Sequence, residues 1–129
     1  MKTIEVVAAI IIFNEKVLCV QRGPNKYEYI SYKYEFPGGK VEEGEKFEDA
    51  LIREIKEELE LEIQIQDFFL TVTHSYPNFN LIMHSFICTC DDSTLCLTEH
   101  INFKWLSKFE LSELDWAAAD LPIVKKLMK

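Results

Sequence analysis

The stretch from Gly38 to Leu61, GGKVEEGEKFEDALIREIKEELEL, constrains the chain more than any other. Two adjacent glycines lead into a segment in which Phe47, Leu51, Ile55 and Leu59 recur every fourth residue, with Ala50 and Ile52 beside them. At 3.6 residues per turn these side chains make one apolar face, so the segment is expected to be a helix from Lys46 to Leu59 packed against something larger. With Phe47 at zero on a helical wheel, Glu54, Glu57 and Glu58 fall at about 340°, 280° and 20°. Asp49, Arg53, Lys56 and Glu60 take the solvated side. Three carboxylates at a buried edge repel one another and lose hydration, a cost that a divalent cation removes. Oxygen donors without Cys or His among them suit Mg²⁺ or Mn²⁺ rather than Zn²⁺. A solvated acidic helix is the plain alternative.

The lead-in favours the cation. Gly38 and Gly39 let the backbone approach a ligand where a β-carbon would intervene. Together the residues fit G-x5-E-x7-R-E-U-x-E-E, U being aliphatic, at Gly39, Glu45, Arg53, Glu54, Ile55, Glu57 and Glu58. This pattern resembles the Nudix box of the Nudix hydrolases. One position departs from it: Glu60 stands where the family pattern has a glycine, followed by the expected aliphatic Leu61. A glycine would end the helix in left-handed geometry, so Glu60 implies a different exit.

A chain of 129 residues with 48% hydrophobic and 28% charged residues is expected to form one domain over residues 1–129. The net charge of −8 argues against a nucleic-acid polymer, which is bound through Lys and Arg. No run is long enough to span a membrane, and Val6 to Phe13 reads as a core strand rather than a signal peptide. Cys19, Cys88, Cys90 and Cys96 lie in apolar surroundings without a CxxC pair, which implies buried free thiols and a cytoplasmic setting.

In chain order, Ile4–Phe13 and Lys16–Gln21 read as a hairpin turned at Asn14 and Glu15. Arg22 and the loop after it come next, rich in tyrosine (Tyr27, Tyr29, Tyr32, Tyr34). Those rings either line a base-binding cleft or pin the loop down. Residues 63–73 hold one or two strands, Tyr76 and its neighbours turn the chain, and Leu81–Cys90 and Phe103–Leu106 are further strands. Ser107 is expected to cap the segment after β-strand Phe103–Leu106, and a helix with Pro122 in its first turn closes the chain over 121–129. The pattern is α+β, a sheet covered on both sides. The Nudix resemblance implies that family's α/β/α sandwich with a mixed β-sheet.

Within that family the likeness extends to the MutT-like and CTP pyrophosphohydrolase-like members. It rests on EFPGGK at Glu35–Lys40, Glu99 six residues before Trp105, and A-D-x-P at Ala119–Pro122. It implies an enzyme that releases a nucleoside monophosphate and pyrophosphate from a nucleoside triphosphate, with (d)CTP or an oxidised or otherwise modified (d)NTP as substrate. It also implies a metal site of the Gly38 carbonyl, Glu54, Glu57, Glu58 and Glu99, with Glu45 and Arg53 orienting the acids. Glu54 and Glu99 are both credible general bases. Glu99 otherwise reads as a surface acid. Arg22, Glu35, Phe36, Lys40, Tyr76 and Asp120 are the candidate substrate contacts. An ionised Asp120 would accept from an exocyclic amine such as N4 of cytosine, or else merely cap the last helix. His74, His84 and His100 show no metal-ligand spacing; His100 adjoins Glu99 and is the one to test. The expected partner is a small nucleotide, and the protein a monomer or homodimer. A hydrolase of ADP-ribose or another nucleotide diphosphate derivative, and a non-catalytic ligand-binding module, are the alternatives.

Overall fold

A computed structural model describes residues 1–129. Its centre is β1 (Thr3–Phe13), a β-branched strand buried on both faces in its middle. The turn at Asn14 and Glu15 has positive φ at both residues (50° and 64°), the geometry whose twist suits a tight hairpin. It returns the chain as β2 (Lys16–Arg22). Two short strands come next, β3 (Tyr34–Glu35) on β2 and β4 (Gly38–Lys40) on β1, and then the helix α1 (Phe47–Leu59). Residues 64–75 form one long strand, β5 (Gln64–Ser75), whose register shifts twice against β6 (Asn80–Thr89). β6 runs parallel to β1, from Thr3 opposite Asn80 to Ile12 opposite Thr89. β7 (His100–Leu106) pairs with β2, so one mixed seven-stranded sheet results.

Alternation along β1 feeds two cores. Val7, Ala9 and Ile11 point to α1, where Ala50, Leu51, Ile55 and Leu59 meet them. Ala8 and Ile10 point to the opposite layer, built from two 3₁₀ turns (Leu111–Glu113, Ala118–Asp120) and the helix α2 (Leu121–Leu127). The α/β/α sandwich is therefore the observed architecture. No helix is long and apolar enough to cross a membrane.

Four expectations are corrected. Glu60 does not give the helix a different exit: it adopts the left-handed conformation itself (φ 51°, ψ 39°), its N–H donating to the Lys56 carbonyl. The 3₁₀ turn Leu111–Glu113 has Glu110, not Ser107, at its N-cap and no side-chain cap; Ser107 begins the turn before it, its N–H donating to the Glu110 carboxylate at 3.0 Å. The last helix stops at Leu127. Cys19, Cys88 and Cys90 are buried free thiols, but Cys96 is exposed, on the irregular segment after β6.

Candidate active site

The glycine pair sits where it does because its surroundings leave no room for a side chain. Gly38 lies opposite Ala8 and Gly39 opposite Val7. A β-carbon on Gly38 would overlap the Val7 carbonyl, and one on Gly39 would overlap the Glu54 carboxyl. β4 is thus pressed between β1 and the acidic edge of α1.

Arg53 ties this loop to the helix. Its Nε and Nη2 donate to the two oxygens of Glu45 (2.8 and 2.9 Å), its Nη1 to Glu54 (2.9 Å), and its Nη2 also to the Lys40 carbonyl (3.3 Å). A weaker contact at 3.4 Å reaches Glu57. The hydrogen bonds from Arg53, with one from the Glu42 amide, hold the Glu45 carboxyl down at about 2. The wheel assigned Arg53 to solvent, yet its side chain is only 26% exposed, because it folds back over the loop to reach Glu45.

Glu58 is buried as its place in the apolar stripe predicts, and its Oε2 has no hydrogen-bond partner. Burial, together with the charges of Glu99, Glu54 and Glu35, pushes its carboxyl up to about 9. Glu54 is mostly buried and Glu57 mostly exposed. No three of the acids stand close enough to hold an ion as they are, and Arg53 pairs with both Glu54 and Glu57. The donor set nevertheless fits a hard divalent cation. It is all oxygen, it contains a buried carboxylate oxygen lacking any partner, and the glycines beside it leave backbone and carboxylate in direct contact.

From these acids a cleft of about 940 Å³ runs across the sheet edge. Gly38, Glu54, Glu58 and Glu99 line one end, and the candidate contacts Arg22, Glu35, Phe36, Lys40, Tyr76 and Asp120 all open onto it; Arg53 and Glu57 stand outside. Arg22 Nε donates to Glu35 Oε1 at 2.9 Å, leaving its terminal nitrogens without protein partners. Burial alone would raise the Glu35 carboxyl, but the hydrogen bond from His100 and the charge of Arg22 outweigh it and hold Glu35 below the usual range.

Asp120 does not cap α2 through its side chain. Its Oδ1 instead accepts the Phe36 N–H at 3.0 Å. Burial first, then the charge of Glu35, raises its carboxyl well above the ordinary value, so ionising it costs more than it would in solvent. Tyr76 Oη accepts the Ala119 N–H at 3.0 Å and anchors the turn that carries Asp120. Tyr27, Tyr29 and Tyr76 stack in series, with ring centroids 5.3 Å apart at each step. Of the loop tyrosines only Tyr27 faces the cleft, while Tyr34 is core. Sequence reading missed the apolar wall of Val6, Leu81 and Met83. It lies on strands read correctly, but which face looks into the cleft depends on the β1–β6 register.

The NUDIX domain model matches residues 3–127. The chain belongs to the Nudix family. Members of this family generally use a divalent metal. Among curated proteins, this Nudix chain is 34% identical to the CTP pyrophosphohydrolase of Escherichia coli K12, over 99% of this chain and 93% of that one. It is 30% identical to the 8-oxo-dGTP diphosphatase of Buchnera aphidicola from Schizaphis graminum, over 100% and 96%. Among solved structures it resembles the DNA mismatch repair protein MutT, a Nudix hydrolase of methicillin-resistant Staphylococcus aureus 252. There the identity is 42%, the coverage 99% and 98%, and the TM-score 0.76.

Proposed function

We propose that this Nudix hydrolase splits nucleoside triphosphates into monophosphate and pyrophosphate, with Mg²⁺ or in its place Mn²⁺, and that cytosine nucleotides are preferred. The relatives named for CTP and 8-oxo-dGTP support the reaction class. The observation that carries the reading is the single cleft joining the unpaired Glu58 carboxylate to Asp120. The substrate is a small nucleotide of the cytoplasmic pool, and residues 1–129 act as one domain.

The Gly38 carbonyl, Glu54, Glu57, Glu58 and Glu99 would hold the cation, which when bound neutralises phosphate charge and lowers the pKa of a bound water. Arg53 and Glu45 fix the direction from which Glu54 and Glu57 approach. Arg22 and Lys40 meet the phosphates from the cleft wall. Either Glu54 or Glu99, both in the cleft, takes the proton of the attacking water. At the far end the base lies against the apolar wall and Phe36, and Asp120 accepts from an exocyclic amine. The test is a panel of CTP, dCTP, UTP, GTP, 8-oxo-dGTP and ADP-ribose with Mg²⁺, scoring monophosphate and pyrophosphate. Cytosine nucleotides are expected to lead in kcat/KM. ADP-ribose alone being split would overturn the reading.

A further inference from the structure

Two buried side-chain polar atoms in this protein have no hydrogen-bond partner, Glu58 Oε2 and His100 Nδ1, and both residues line one pocket of about 300 Å³ at the acidic end of the cleft. The imidazole of His100 is 5% exposed. A ring serving only to fill space would be replaced at no loss by an apolar side chain, since its buried Nδ1 is left unpaired. What distinguishes it is the other nitrogen. Nε2 lies 2.9 Å from Glu35 Oε2, and because a carboxylate only accepts, the ring proton sits on Nε2.

The backbone is shaped to make this contact. β7 pairs with β2 in step through Gln21 opposite Asn102, and then the register shifts so that Arg22 lies opposite His100. Ile101 is the extra residue. In an unbroken register Arg22 would face Ile101, and the one-residue slip brings His100 to Arg22's side of the sheet instead. On the other flank of β2, Glu35 of β3 stands opposite Val20, on the same face as Arg22. Three neighbouring strands therefore present Glu35, Arg22 and His100 together. Both oxygens of Glu35 are engaged by them: Oε1 accepts from Arg22 Nε and Oε2 from His100.

We propose that His100 is a positioning residue for phosphate binding: through Glu35 it fixes the Arg22 guanidinium with both terminal nitrogens turned to the cleft. Glu35 then acts by holding the arginine that meets the phosphate. The inference rests on the proposed reaction only in naming a phosphate ligand.

The experiment compares wild type with His100→Leu, His100→Gln, Arg22→Ala and the double variant His100→Leu with Arg22→Ala. Each is read by KM and kcat for CTP and by calorimetric binding of inorganic pyrophosphate with Mg²⁺. His100→Leu is expected to raise KM and weaken pyrophosphate binding about tenfold, the scale of one charge-assisted hydrogen bond, with a smaller change in kcat. His100→Gln, whose amide keeps a donor near the Nε2 position, is expected to recover most of this. In the Arg22→Ala background the leucine substitution is expected to add nothing, because the two residues act as one unit. Unchanged pyrophosphate binding in His100→Leu, or an equal loss in both backgrounds, overturns the proposal. Should His100→Leu fail to fold, His100→Asn, polar but too short to reach Glu35, takes its place under the same criteria. If wild type turns over no triphosphate, the proposed reaction fails while the pyrophosphate comparison still decides this inference.

Discussion

The carboxylate of Glu54 occupies the space in which residue 39 would carry its β-carbon. Next to it, the space at residue 38 belongs to the Val7 carbonyl. The two glycines are adjacent but are required for different reasons. Gly39→Ala is expected to leave the melting temperature close to wild type, since a flexible side chain can yield, while turnover falls about 10²-fold with the displacement of Glu54. Gly38→Ala meets backbone that cannot yield, and is expected to lower the melting temperature steeply. Thermal melts and CTP turnover of both variants decide this; equal melting temperatures for the two would contradict it.

Glu57 and Glu58 separate activity from stability. Glu57 is 61% exposed at its side chain, whose one hydrogen-bond partner is Arg53. Glu57→Gln should therefore keep the wild-type melting temperature and lose about 10²-fold or more in kcat, as should wild type in excess chelator. Glu58 buries an oxygen without a partner. Metal-free Glu58→Gln is expected to melt no lower than metal-free wild type, and to lose most of the rise in melting temperature that Mg²⁺ gives wild type. Full turnover by Glu57→Gln, or in chelator, would refute the metal assignment.

Asp120 links base selection to pH. Its folded-state pKa lies above the unfolded 3.8, so its contribution to stability is full below 3.8 and is lost as pH rises through the folded value. A protonated carboxyl both donates and accepts, as asparagine does; the ionised form only accepts. The preference for an amine over a carbonyl, read as the CTP to UTP ratio of kcat/KM, is expected to rise as pH passes through the Asp120 pKa. In Asp120→Asn the ratio should be flat with pH and shifted toward guanine substrates. A wild-type ratio constant across pH would remove the role given to Asp120.

Glu60 carries a left-handed backbone that glycine adopts without strain. Glu60→Gly is expected to stabilise the protein by about 0.5–1 kcal/mol, the left-handed strain relieved less the added flexibility of the unfolded chain. Denaturant unfolding would show it as a higher midpoint at unchanged slope. A lower midpoint would mean that the glutamate side chain contributes more than the strain costs.

The fold was legible wherever one period ran unopposed. Ile4–Phe13, the box helix and Leu81–Cys90 appear in the structure within a residue or two of where their patterns put them. The burial of Glu58 followed from its wheel position alone. Arg53 did not, because a long side chain on the solvated arc can fold back to partners that the helix period does not describe. Asp120 reads from sequence as a base contact or else a cap, and the partner its side chain has here, the Phe36 amide, lies 84 positions away. The bulge that brings His100 to Arg22 likewise leaves no local trace, since register is a property of two strands at once.

β1 supplies residues to both cores, and its long parallel partner is β6. Neither helical layer has a finished surface to dock on until Asn80–Thr89 has been made and has found Thr3–Ile12. Closing so large a loop comes before the contacts that reward it, which makes folding slow relative to a chain of local hairpins. During synthesis β1 emerges before β6 and must wait for it, apolar on both sides, and is the segment a chaperone would be expected to hold.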